Sequence, residues 1–252
     1  MPLIRFLIGG VQKGGTSALA AYLGRHPGAC LPPCKEAHVF DRPETDNCWR
    51  AERIDVEYRR HFPNARESVL HGDATPIYML HPRIVERVAA YNAAMKWIIL
   101  LRDPVDRAIS HYHMERRRDR EWLPLWAALL AEPWRLHGRF DDFSIESPLR
   151  RHSYRARGLY SRQLDALQAH FPRGQILILR SMDLMADPQG VMERVYLFLG
   201  LSEPAEQPVH ERVFEGGYDQ LNPHPWVRRV LRLRFRRELR RLQHRHGIGF
   251  DV

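Results

Sequence analysis

The chain is poor in cysteine and has no long apolar run. Cys30, Cys34 and Cys48 are the three cysteines among 252 residues, so a disulfide framework would leave an odd thiol. Their spacing fits no usual zinc pattern. Cys30 and Cys34 bracket two prolines where a knuckle turn would sit, so a Cys3His site drawn with His38 is set aside and the cysteines are expected as buried small side chains. No stretch approaches the length of a membrane span, and nothing resembling a secretory leader precedes the first expected strand. Internal repeats and low-complexity linkers are also missing. These absences predict a reduced, cytoplasmic protein folded as one domain over residues 1–252, with a 44% hydrophobic content that is enough for a sizeable core.

The charge is basic, but locally so. The net charge is +9, and residues 226–246 hold nine arginines against one glutamate, which leaves the rest of the chain near neutral. Within that stretch Val227, Leu231, Phe235, Leu239 and Leu242 recur near one face. The spacing predicts an amphipathic helix packed on the core with a cationic outer side, or the wall of a groove for a polyanionic acceptor or acidic carrier. No interleaving of aromatic and basic residues and no reader motif accompanies the arginines, which argues against a nucleic-acid partner.

What the chain does have is an apolar run entering a glycine-rich turn, FLIGGVQKGGTS, from Phe6 to Ser17. Ile4, Phe6, Leu7 and Ile8 predict a short buried strand. Gly9, Gly10, Gly14 and Gly15 let backbone amides approach an anion, and a helix starting at Thr16 points its positive end at the turn. A nucleotide-triphosphate loop reads G-x-x-x-x-G-K-[ST], whereas here the lysine has moved to Lys13 and Gly15 precedes the hydroxyls of Thr16 and Ser17. That pattern suits a terminal phosphate or sulfate. The apolar strand KWIILL, Lys96 to Leu101, ends in Arg102 rather than in a magnesium-binding acid. Metal-independent chemistry is therefore expected.

Pro32 to Asp41 concentrates Lys35, Glu36, His38 and Asp41 within a proline-led segment, a density of titratable groups that points to a site. Beyond it, Asp73 to Pro76 reads as a polar turn after a strand at Ser68–Gly72. Helices are expected over Ile54–Phe62, His81–Tyr91, from Pro104 to the basic cluster at Arg116, over Leu159–Phe171 and over Pro188–Leu199, with a strand at Gln175–Leu179. Residues 121–153, with Trp122, Trp126 and Trp134, read as a partly helical excursion beside an acceptor pocket. The alternation predicts an α/β fold of the P-loop kind, a central parallel sheet flanked by helices. Arg102 at a strand end and Ser110 on the following helix offer a planar fork and a neutral donor for a second phosphate, with a local ion pair between Asp103 and Arg107 as the alternative use of that turn.

These motifs together resemble the sulfotransferases that use 3′-phosphoadenosine 5′-phosphosulfate (PAPS), especially the heparan sulfate glucosaminyl 3-O-sulfotransferases and their bacterial relatives. GGVQKGGTSAL resembles that family's 5′-phosphosulfate loop, KEAHVFD its catalytic segment and LLRDPVDRAISHY its 3′-phosphate motif, and GLYSRQLDAL, FPRGQILIL and DPQGVMERVYLFLGL follow in the family's order. The resemblance implies that Lys13, Gly14, Gly15, Thr16 and Ser17 hold the 5′-phosphosulfate, that Arg102 and Ser110 take the 3′-phosphate, and that Tyr160 belongs to the same nucleotide site. It places Glu36 on the catalytic base and His38 and Asp41 on supporting positions, with Lys13 stabilising the leaving oxygen. It also implies adenosine 3′,5′-bisphosphate (PAP) as product, a saccharide or small-molecule acceptor and no metal, and it leaves the oligomeric state open. In two places the chain departs from the family. Ala74 stands where relatives often carry lysine, and Phe214–Tyr218, FEGGY, stands where they carry a lysine-glycine loop over the nucleotide. A P-loop small-molecule kinase and a non-catalytic nucleotide- or polyanion-binding module are the alternatives.

Overall fold

The computed structural model describes residues 3–45, 48–66, 68–204 and 225–250. The Phe214–Tyr218 departure lies outside them. The chain divides into two compact units, one formed by residues 1–102 and 166–215, the other by residues 103–165 and 216–252.

The first unit is built on five parallel strands in the order β2-β3-β1-β4-β5. They are β1 Ile4–Gly10, β2 Ala29–Cys30, β3 Leu70–Asp73, β4 Lys96–Leu101 and β5 Ile176–Arg180. Strands β1 and β4 sit inside the sheet, and their near-continuous apolar runs are what burial on both faces demands. One face carries Phe6, Ile8, Ile98, Leu100 and Leu179 against helices α1 Thr16–Leu23 and α9 Pro188–Leu199, which contribute Leu19, Leu23, Val195 and Leu199. The remaining helices of this unit include α2 Ala51–Arg59, α3 Pro82–Tyr91 and α8 Ser181–Ala186. Leu7 is in register with both Asp73 and Trp97. Because the strands are parallel, the carboxyl ends of β3, β1 and β4 lie along one sheet edge, where open α/β sheets bind ligands.

In the second unit α4 Pro104–Arg117, α5 Leu125–Leu136 and α10 Pro225–His246 surround a core of Val105, Ala108, Ile109, Ala128, Leu129, Tyr154, Val227, Leu231 and Phe235, and the short α6 Pro148–Arg151 lies against α5. Helix α7, Tyr160–His170, carries the chain back to the first unit. On α10 the expected apolar face is buried at Val227, Leu231, Phe235 and Leu242. Glu238 joins it, accepting from the backbone amide and hydroxyl of Ser161 at 2.7 and 2.8 Å.

Most expected elements lie where the sequence puts them, with three differences. Helix α2 starts three residues before the expected Ile54, because the apolar spacing there marks only its buried middle. The excursion at 121–153 is not without core positions: Ala128, Leu129, Phe143 and Leu149 are buried, the first two in the core of the second unit. The cysteines are not buried small side chains: Cys34 and Cys48 are exposed and Cys30 is intermediate. Cys34 lies instead 3.5 Å from His61 Nδ1. Among the described residues no helix is long and apolar enough to cross a membrane.

Candidate active site

The glycine-rich turn leaves β1 at Gly10 and becomes α1 at Thr16. It is pinned to the neighbouring strand by Val11 N–H, which donates to Leu100 O at 3.1 Å, and closed on itself by Gly14 N–H to Val11 O at 2.9 Å. A Cβ at position 14 would stand 2.4 Å from Leu100 O, and Gly15 takes φ +95°, so both glycines are required by the backbone. No side chain caps the start of α1 and its first turn has no acid. Its positive end is therefore left for an anion. Lys13 sits within the turn in a left-handed conformation, φ 68°. Arg102 at the end of β4 reaches the same turn, its guanidinium donating to Lys13 O at 3.4 Å. The hydroxyl of Ser181, at the start of α8, braces the turn from below by donating to Gly14 O at 2.5 Å.

Next along the sheet edge, β3 ends in Asp73, which is fully buried. Its carboxylate accepts from Ala37 N at 3.2 Å, Thr75 Oγ1 at 2.7 Å, Tyr58 OH at 3.0 Å and Tyr78 OH at 2.7 Å. Two of those partners reach on to the segment Lys35–Asp41. Tyr78 OH accepts from Val39 N at 2.9 Å and Phe40 N at 3.4 Å, and Thr75 Oγ1 accepts from His38 N at 3.4 Å. The amides of residues 37 to 40 are thus all held by one group of side chains. Carbonyls of the same segment are held by Arg42 on Ala37 O and Arg87 on Phe40 O. With its backbone fixed, His38 is kept at φ 53°, a conformation a non-glycine residue adopts only under such constraint.

The side chains of that segment form a chain of charges. Lys35 Nζ lies 2.8 Å from Glu36 Oε1, Glu36 Oε2 lies 3.2 Å from His38 Nε2, and His38 Nδ1 lies 2.9 Å from Asp41 Oδ2. Asp41 is wholly buried, whereas Glu36 and His38 keep about a third of their side chains open, at 33% and 39%. Burial by itself would raise the Glu36 carboxyl, but the hydrogen bond from His38 and the Lys35 ammonium overcome it and hold the group at about 2. For His38 burial works toward the neutral form, and the bonds to Asp41 and Glu36 prevail, pushing the imidazole up to about 9. At neutral pH the arrangement is a carboxylate beside an imidazolium.

Ala74 is buried, and its amide donates to Lys35 O at 3.3 Å. The two positions are therefore hydrogen-bonded neighbours, and the ammonium of Lys35 stands beside Glu36.

Ser110 and Tyr160 belong to the second unit. Ser110 is 3% exposed on α4, and its hydroxyl has no hydrogen-bond partner among the described residues. Tyr160 is fully buried at the first residue of α7. The Asp103 carboxylate caps α4 through Val105 N and Asp106 N and meets Arg232 at 2.5 Å, while Arg107 donates to Tyr154 O. Sequence reading missed Asp73, Tyr78, Tyr58 and Ser181. The polar turn at Asp73 was the one signal available for this group.

A sulfotransferase domain model matches residues 3–216 of the chain. The mouse heparan sulfate glucosamine 3-O-sulfotransferase 3A1 is 33% identical over 198 residues, covering 77% of this chain and 45% of that protein. The human heparan sulfate glucosamine 3-O-sulfotransferase 6 is 33% identical over 195 residues, 77% of this chain and 52% of its own length. The chain thus spans about half the length of these relatives. Among solved structures, a sulfotransferase from Alicyclobacillus acidocaldarius superposes with a TM-score of 0.79 at 30% identity, over 98% of this chain and 97% of that one. A mouse sulfotransferase, SULT7A1, complexed with PAP shares the fold, with a TM-score of 0.54 at 15% identity over 99% of this chain and 88% of its own.

Proposed function

Because the chain belongs to the sulfotransferase domain family, we propose that it moves a sulfuryl group from PAPS to a hydroxyl, with an amine as the lesser alternative, on a carbohydrate-like or natural-product acceptor. The observation that carries this reading is the juxtaposition, on one sheet edge, of an uncapped anion cradle holding Lys13 and Arg102 and a rigidly held Glu36. The residues fit the donor on two counts. The cradle is closed so tightly that a Cβ at Gly14 would meet the backbone, and the α1 N-terminus it opens has neither a side-chain cap nor a first-turn acid.

In this reading Glu36 takes the proton as the acceptor oxygen forms its bond to sulfur. The sulfur–oxygen bond to the 5′-phosphate breaks at the same time, and the electron pair stays on a phosphate oxygen that Lys13 and the α1 amides stabilise. The assignment of Glu36 over His38 rests on protonation. An imidazole pushed up to about 9 already carries its proton at neutral pH, while Glu36 is ionised. His38, anchored by Asp41, then serves to orient Glu36. A carboxyl held near 2 is a weak base, so Lys35 has a second part: when its ammonium turns to an acidic group on the acceptor, the hold on Glu36 relaxes and its basicity rises. Lys35 in this way supplies the cation that Ala74 does not.

Metal-independent transfer is supported by the donor set. The acid at the end of β3, Asp73, already accepts from an amide and three hydroxyls, and β4 ends in Arg102. The acceptor-side assignment of the excursion 121–153 stands as part of this proposal, on its position as an irregular segment between sheet elements. The test is sulfate transfer from labelled PAPS across saccharide and small-molecule hydroxyl acceptors, run beside Glu36→Gln. Transfer lost in the variant with PAP binding kept supports the reading. Dependence on ATP and magnesium would select a kinase, and PAP binding without any transfer would select a binding module.

A further inference from the structure

Helix α5 is apolar on both sides. Its inner face is committed: Ala128 and Leu129 belong to the core of the second unit, and buried Glu132 takes the backbone amides of Arg155 and Ala156 at 2.8 Å. On its outer face Trp126, Leu130, Pro133 and Trp134 recur at the spacing of one helical stripe, with Trp122 just ahead of the helix. These side chains stand in solvent, Trp122 at 77%, Trp126 at 50%, Leu130 at 68% and Trp134 at 82% exposure. A helix that is apolar all round is ordinarily covered on all sides.

We infer that this face is covered by the same face of a second copy of the chain, in a two-fold antiparallel pair of α5 helices. Two properties select that occupant. The stripe is self-complementary: an axis crossing near Leu130 brings Trp126 of one copy against Trp134 of the other, and a ridge of every-fourth residues packs into the groove of an identical ridge. The charged residues beyond the stripe are spent within the chain, Arg116 on Glu121 O, Arg139 on Asp142 and Arg151 on Glu146, so the face itself stays apolar. The area also suffices, since three indoles and a leucine at these exposures offer roughly 500 Å² per copy, and a pair then reaches the roughly 1,000 Å² that a specific interface needs. Tryptophan at the centre with charge kept to the rim is the composition of such interfaces. The other occupants fit less well. A membrane surface calls for cations on the inserted helix, yet the one arginine of α5, Arg135, is 12% exposed and spent on Glu121 at 2.5 Å. A glycan calls for side-chain hydroxyls, amides or carboxylates around the aromatic rings, and this face has none.

Sedimentation of the full chain over a range of concentrations tests the pair, with Trp126→Arg plus Trp134→Arg as the variant and PAP affinity as the check that the variant is folded. The expected result is a concentration-dependent dimer whose dissociation constant rises about 100-fold or more in the double arginine variant. Mixing that variant with a chain carrying Trp126→Glu plus Trp134→Glu should restore the dimer, because the axis sets position 126 against position 134. A wild type that stays monomeric throughout, a dimer untouched by the arginines, or a mixture that fails to pair although both variants bind PAP would each overturn the inference. So would a monomer that floats with phosphatidylglycerol vesicles through these tryptophans, which would make the face a lipid contact.

Discussion

Tyr78 donates its phenolic hydrogen to Asp73 at 2.7 Å, and the same oxygen accepts the amide of Val39 at 2.9 Å. A buried acid at a strand end is thereby coupled to the backbone that carries Glu36 and His38. Tyr78→Phe should strip one donor from Asp73 and leave the amides of Val39 and Phe40 without an acceptor. A stability loss of about 1–3 kcal/mol is expected, with kcat falling while PAP affinity stays close to wild type. Urea unfolding beside a PAP titration measures both, and a variant of undiminished kcat would show that the clamp does not position the base.

Glu36→Gln keeps the shape of the side chain and removes its capacity to take a proton. The expected fall in kcat is roughly 10²–10⁴-fold at unchanged donor affinity. His38→Asn is the comparison. If it loses more than Glu36→Gln, and Glu36→Gln remains nearly active, the imidazole is the base and the assignment is reversed.

The charge relay has a pH signature. Glu36 sits below its ordinary value, at about 2, so its contribution to stability is present above the ordinary carboxylate range and is lost as pH falls from there through about 2. His38 is raised to about 9, so its contribution is complete below the ordinary imidazole range and is lost as pH rises from there through about 9. Relative to His38→Asn, the wild type should therefore be favoured most near pH 5 to 6, and less at pH 9.5. Chemical denaturation of the two proteins at pH 5.5, 7.5 and 9.5 provides the comparison. A constant difference across that range would mean that His38 is not held in its charged form.

Arg102 is tied to the cradle through Lys13 O, and its charge is proposed to serve the 3′-phosphate. Arg102→Ala should weaken PAP roughly 10- to 100-fold, the loss of a charge-assisted hydrogen bond, and affect adenosine 5′-phosphate far less. Calorimetric titration of the two nucleotides separates the cases. Equal losses for both would move Arg102 from the 3′-phosphate to the 5′ side of the site.

Much of this was legible in the sequence because it depends on neighbours in the chain. The run KWIILL is β4 to the residue, since a strand buried on both faces needs uninterrupted apolar side chains. The cradle at Gly10–Ser17 follows from glycine spacing, which is a local steric property, and the titratable cluster Lys35–Asp41 was visible as density alone. The start of α2, the exposure of Cys34 and Cys48 and the buried positions within 121–153 were not legible, because each depends on which face the rest of the chain covers.

By itself the sequence determined the alternation of strands and helices, the placement of a glycine-rich turn at the end of β1, and the clustering of an acid and an imidazole, Glu36 and His38, in one short segment. Only the tertiary structure decided what holds them. The donors that converge on Asp73 come from residues 37, 58, 75 and 78, three separated stretches of chain with no shared local pattern. The split in protonation between Glu36 and His38 likewise arises from distances of 2.8 to 3.2 Å among Lys35, Glu36, His38 and Asp41. Coulomb and hydrogen-bond energies depend on separation in space and on burial, and neither is set until the chain has closed around them.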